Sequence, residues 1–120
     1  MKILEVWWRM TLLLKTPLLL FLDLSYQYIP ESKILEYFNL MPKLPYIPDK
    51  RDCDNYAFMF KGVADADSNA TGVVIGWATW AKSFHAWNVA LTDKGVIQIE
   101  PQTGEVFRTK KGYIPMVVII

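Results

Sequence analysis

Cys53 and His85 are the single thiol and the single imidazole of this 120-residue chain. Together they supply what nucleophilic acyl chemistry needs, an attacking sulfur and a base to take its proton. From Cys53 onward, Tyr56, Ala57, Phe60, Val63 and Ala64 recur at spacings of three and four, which predicts a helix with Asp52 as its N-cap. The thiol then lies in the first helical turn, where unpaired backbone N–H groups and the helix dipole favour a thiolate. On that ground, and with His85 as partner, the Cys53 pKa is expected to fall below that of an ordinary thiol.

The third group comes from a hairpin. Asp93 and Lys94 separate two strand-like runs, residues 85–92 and 96–100, and read as a tight turn that sets Thr92 opposite Gly95. Alternation then puts His85, Trp87, Val89 and Leu91 on one face with Val96, Gln98, Glu100 and Gln102, while Ile97 and Ile99 point the other way. His85 and Glu100 become diagonal neighbours at about 7–8 Å between backbones, within reach of a hydrogen bond between their side chains. Cys53, His85 and Glu100 are therefore the candidate nucleophile, base and orienting acid. A three-residue loop would instead turn Glu100 to the opposite face and leave Asn88 or Gln102 as substitutes. Each residue also has a structural reading: an inert buried thiol, a packing histidine, a glutamate marking the solvent end of its strand.

The elements that must position these groups follow from pattern. Residues 2–15 predict an amphipathic helix, and residues 18–28 an extended segment leading to Pro30. Ile34, Leu35, Phe38 and Leu40 predict a second helix that stops near Pro42, and Pro42, Pro45 and Pro48 impose an irregular connection. After the Cys53 helix, a polar stretch over 65–72 gives way to strands at 73–80, 85–92, 96–100, 106–109 and 116–120. Helices first and strands second predict an α+β architecture, with the helices packed on an antiparallel sheet. The length suits one domain over 1–120, with a helical N-terminal part (1–45) and a catalytic-type helix plus sheet (46–120). Most of Trp7, Trp8, Trp77, Trp80 and Trp87 are expected in the core, any remainder lining a groove or interface.

Composition sets the bounds. At 52% hydrophobic and 21% charged residues, the chain can build a core and stands far from the disordered class. Thirteen basic against twelve acidic side chains, a net charge of +1, favour neither nucleic acid nor an anionic membrane as partner. A lone cysteine makes no internal disulfide, so a reducing, cytoplasmic setting is expected. Glu5, Arg9, Lys15 and Asp23, with Pro17, interrupt the leucine-rich opening, which argues against a spanning helix and against a secretory signal. Asp52, Asp54, Asp65 and Asp67 carry oxygens that suit calcium, or serve as caps and solvated loop acids.

Three local words, Asp52-Cys53-Asp54-Asn55-Tyr56-Ala57, His85-Ala86-Trp87-Asn88 and Ile99-Glu100-Pro101-Gln102, occur in this order. Over about residues 46–107 the chain resembles the papain-like C-terminal domain of the fairy-ring mushroom agglutinin and its bacterial and viral relatives. It resembles the transglutaminase-like cysteine proteinases more distantly. The resemblance implies a papain-like or transglutaminase-like core and a cysteine peptidase, with Cys53 as nucleophile, His85 as general base and Glu100 as orienting acid; it also implies a calcium requirement. The stretch from Pro45 to Arg51 lacks the glutamine that such a family places before the cysteine, so an oxyanion hole would rest on the Cys53 backbone N–H and a second donor that the sequence does not name. The expected function is a peptidase or amidase acting on a peptide or amide substrate, with acyl transfer to an amine as a variant. The alternative is a non-catalytic viral or phage accessory or binding protein of the same fold, self-associating as a homo-oligomer through its N-terminal helix.

Overall fold

The computed structural model describes residues 1–15 and 18–120. Pro17, one of the breakers in the opening segment, lies outside the described residues together with Thr16. In chain order the elements are α1 (Ile3–Leu14), β1 (Leu18–Leu20), α2 (Ser32–Leu40), α3 (Cys53–Asp65), β2 (Thr71–Ala78), β3 (Ser83–Thr92), β4 (Gly95–Glu100), β5 (Glu105–Phe107) and β6 (Tyr113–Ile119). The strands form one sheet in the order β1-β6-β2-β3-β4-β5. Every adjacent pair is antiparallel apart from β1 and β6, which run parallel. The architecture is α+β, with α3 packed against β2 and β3.

Within the extended segment expected over residues 18–28, Leu18–Leu20 joins the sheet as an edge strand, and Ile120 N–H donates to Leu20 O at 2.9 Å. The last strand starts at Tyr113, ahead of the expected residue 116. Pro115 reads as a break in the sequence, yet the strand absorbs it where its register against β2 shifts, between Ile75 and Gly76. A shift in register is a place where a residue without an N–H can be tolerated in a sheet.

Each helix buries one stripe. In α1, Val6, Met10 and Leu14 face the core at spacings of four, while Leu4, Trp8 and Leu12 stay exposed on the far side. In α2 the buried pair is Ile34 and Tyr37, whereas the expected Leu35 and Leu40 are exposed. In α3, Tyr56, Ala57, Phe60 and Ala64 are buried. Asn88 ties that helix to the sheet, its Nδ2 donating to Ala57 O at 2.8 Å and to Gly72 O at 3.0 Å. Among the described residues, no helix is long and apolar enough to cross a membrane.

Tyr37 makes stability pH-dependent. Its hydroxyl donates to Asp67 Oδ2 at 2.5 Å, and burial first, then the hydrogen bond and charge of Asp67, push its pKa well above the tyrosine range. The folded-state value exceeds the unfolded value of about 10, so this contribution is complete below that pH and is lost as pH rises through the folded value. The melting temperature is therefore expected to fall as pH passes about 10. Tyr37→Phe should flatten part of that alkaline decline; an equally steep decline in the variant would count against it.

Candidate functional site

The hairpin forms with the register that the Asp93-Lys94 turn implies: Thr92 pairs with Gly95, Val89 with Gln98 and Asn88 with Ile99. This sets Glu100 on the His85 side of the sheet. His85 Nε2 and Glu100 Oε1 lie 2.5 Å apart, and both side chains are buried, at 7% and 6% exposure. A buried pair this close holds the imidazole by one nitrogen and leaves Nδ1 for another partner. Aromatic rings fix its plane: Trp87 stacks on it at 5.7 Å and 26°, and Trp80 meets it edge-on at 5.2 Å.

Glu100 has further donors. Tyr113 Oη donates to the same Oε1 at 3.0 Å, and the Gln102 backbone N–H donates to Oε2 at 3.4 Å. The sequence reading does not reach Tyr113, because Pro115 reads as a break ahead of the last strand. The signal that would have found it is the β-favouring Tyr113-Ile114 pair directly after Gly112.

Cys53 opens α3. Asp52 and Asn55 form a capping box there, with the Asp52 N–H donating to Asn55 Oδ1 at 3.1 Å. The half-buried thiol packs with Ala57, Val73 and Ala86. The expected lowering of its pKa is reversed: the Cys53 pKa is raised. Desolvation is the largest cause, and the carboxylates of Asp52 and Asp54 add to it, outweighing the Ala86 and Asp54 backbone groups that hydrogen-bond the sulfur. The helix N-terminus does act on this thiol, but two flanking aspartates oppose it. Asp54 is itself raised, chiefly through its hydrogen bond with Asp52.

Cys53 and His85 line one open cleft of about 310 Å³, together with Tyr46, Trp80, Phe84 and Gln102. The sulfur meets β3 through the Ala86 backbone, one residue from His85, while Glu100 lies behind the imidazole. The cleft rim is aromatic and accessible, with Tyr46, Trp80 and Phe84 all more than half exposed. The tryptophans depart from expectation: Trp87 is fully buried, whereas Trp7, Trp8, Trp77 and Trp80 are exposed to between 36% and 58%. A core of this size accepts one indole whose N–H finds a partner, here Gln98 Oε1 at 2.7 Å.

The aspartates do not assemble a calcium site. Asp52 and Asp54 stand at the start of the 13-residue α3, Asp65 and Asp67 at its far end, roughly 20 Å away at 1.5 Å per residue. Asp65 pairs with Lys61 at 3.1 Å, and Asp67 takes Tyr37 and Lys33. Among the described residues no group of three or more His, Cys, Asp or Glu side chains is placed to hold a metal ion.

No family model and no curated protein matches the chain. Solved structures do, and the class they define is an α+β fold shared with a mushroom lectin. One is a PSL1a–E64 complex, with a TM-score of 0.71 and 20% sequence identity, covering 85% of this chain and 42% of that one. Another is Polyporus squamosus lectin bound to the human-type influenza-binding epitope Neu5Acα2-6Galβ1-4GlcNAc, with a TM-score of 0.66 and 20% identity, covering 79% and 39%. The chain thus spans about two fifths of the length of these structures. At this identity the likeness is one of fold.

Proposed function

We propose that the cleft between the start of α3 and β3 is a cysteine-hydrolase site acting on a peptide or amide, with Cys53 as nucleophile, His85 as general base and Glu100 as orienting acid. The observation that supports it is the buried Glu100 carboxylate on His85 Nε2 at 2.5 Å. That contact holds the neutral ring in the tautomer whose Nδ1 is a free base. Because burial and the two aspartates raise the thiol, Cys53 rests protonated and attacks with general-base assistance. Sγ bonds to the carbonyl carbon while its proton passes to Nδ1. The imidazolium returns that proton to the departing amine as the C–N bond breaks. Water then adds to the thioester, giving its proton to His85, and the acid leaves with the thiol restored. Backbone N–H groups of the first α3 turn and the Gln102 amide, which lines the cleft, are the donors for the developing oxyanion.

Treatment with E64, the compound of the similar PSL1a complex, is expected to give one adduct, on Cys53, by intact-mass and peptide mapping. Alkylation by iodoacetamide should rise above the ordinary thiol midpoint of about pH 8.5. Hydrolysis of a mixed peptide library should fall by about 10³-fold or more in Cys53→Ala. Equal hydrolysis by the variant would overturn the reading.

A second reading is a binding module of the same fold, and the exposed aromatic rim favours it: Tyr46, Trp80 and Phe84 present flat faces of the kind that stack on sugar rings. The lectin structure bound to a sialylated trisaccharide gives the probe. Saturable binding of that trisaccharide to Cys53→Ala, abolished by Trp80→Ala, in a protein without hydrolysis would select it.

A further inference from the structure

We infer that Tyr113 is a positioning residue that fixes the tautomer of His85 by holding the Glu100 carboxylate in place. Its role in turnover rests on the hydrolase reading; its role in the tautomer does not.

Oε1 of Glu100 is shared. It lies 2.5 Å from His85 Nε2 and 3.0 Å from Tyr113 Oη, while Oε2 takes the longer Gln102 N–H bond at 3.4 Å. A glutamate has free torsions, and without the Tyr113 bond the other anchor on this carboxylate would be the weak backbone one. The phenol comes from β6, on the far side of β2 from β3, so this single bond spans strands that do not pair directly. Its ring is gripped: Trp87 meets it edge-on at 5.1 Å and 89°, Phe107 lies at 4.9 Å, and Trp80 at 5.8 Å. Burial, then the charge and hydrogen bond of Glu100, then Glu105, raise the phenol well above its usual range, so it stays an O–H donor. Lys110, whose Nζ lies 5.7 Å from the Tyr113 ring, is engaged by Glu105 at 2.6 Å.

The consequence is chemical. With the carboxylate fixed, the neutral imidazole carries its proton on Nε2 and presents a bare Nδ1. With the carboxylate loose, the Nδ1–H form gains population, and that form has no lone pair to offer the thiol.

Tyr113→Phe removes the oxygen and keeps the ring packing. Because the chain has one histidine, long-range ¹H–¹⁵N correlation spectra read its two nitrogens without assignment. In the parent protein the neutral ring should be mostly the Nε2–H form. In Tyr113→Phe the share of Nδ1–H should rise severalfold, and where hydrolysis is measurable kcat should fall roughly 10- to 100-fold at near-constant KM, the scale of one lost hydrogen bond to a charged group. Thermal melting and near-UV spectra establish that the variant is folded; should it not be, Glu100→Gln in the intact Tyr113 background must shift the same ratio. An unchanged tautomer ratio in folded Tyr113→Phe overturns the inference. A changed ratio in a protein that hydrolyses nothing upholds it and rejects the hydrolase reading instead.

Discussion

Gly76→Val should lower stability by about 3 kcal/mol, the upper end for forcing atoms into a filled interior. Gly76 pairs with His85 across β2 and β3 and with Pro115 across β2 and β6. A Cβ built there meets the Ile114 carbonyl oxygen on one side and Trp87 Cη2 at 2.7 Å on the other. The first obstacle is backbone, so no rotamer change relieves it, and the second is an indole held by its N–H bond to Gln98. Against a total folding free energy of about 5–15 kcal/mol, the cost is large. The urea midpoint should drop sharply at unchanged slope; a midpoint equal to that of the parent would show that β2 and β6 separate more easily than this contact implies.

Trp87→Ala should cost about 3–5 kcal/mol. The indole is fully buried, so its removal leaves a cavity, takes the donor from buried Gln98 Oε1, and strips the stacked face from His85. A melting point lower by more than about 10 °C is expected. Trp87→Phe restores much of the volume without the N–H and should fall between the two. If the alanine variant melted within a few degrees of the parent, the core would have to collapse far more readily than close-packed interiors do.

The hairpin that carries His85 and Glu100 was legible because its determinants are local: a two-residue turn at Asp93 and Lys94, and strict alternation on either side. The α3 start was legible for the same reason, through Asp52 and the spacing after Cys53. What escaped depends on groups far apart in the chain. The sequence marks residues 18–28 as extended, but nothing in it shows that Leu18–Leu20 pairs with β6 about a hundred residues later. Tyr113 reaches Glu100 only once β6 is in register on β2. The thiol's pKa turns first on desolvation where it packs with Val73 and Ala86, a burial that the helix start, His85 and even the flanking Asp52 and Asp54 do not reveal in the sequence.

The two short outer strands bear on how this protein behaves when crowded. A sheet's rim is a template on which other chains can add strands and aggregate. Here β1 and β5 each span three residues, so both rims are brief. β5 carries Glu105, which is paired with Lys110, and charge at a rim discourages stacking. In β6, Pro115 has no N–H to offer an incoming strand. The proline that disguises the last strand in the sequence thus also withholds a donor from intermolecular pairing there.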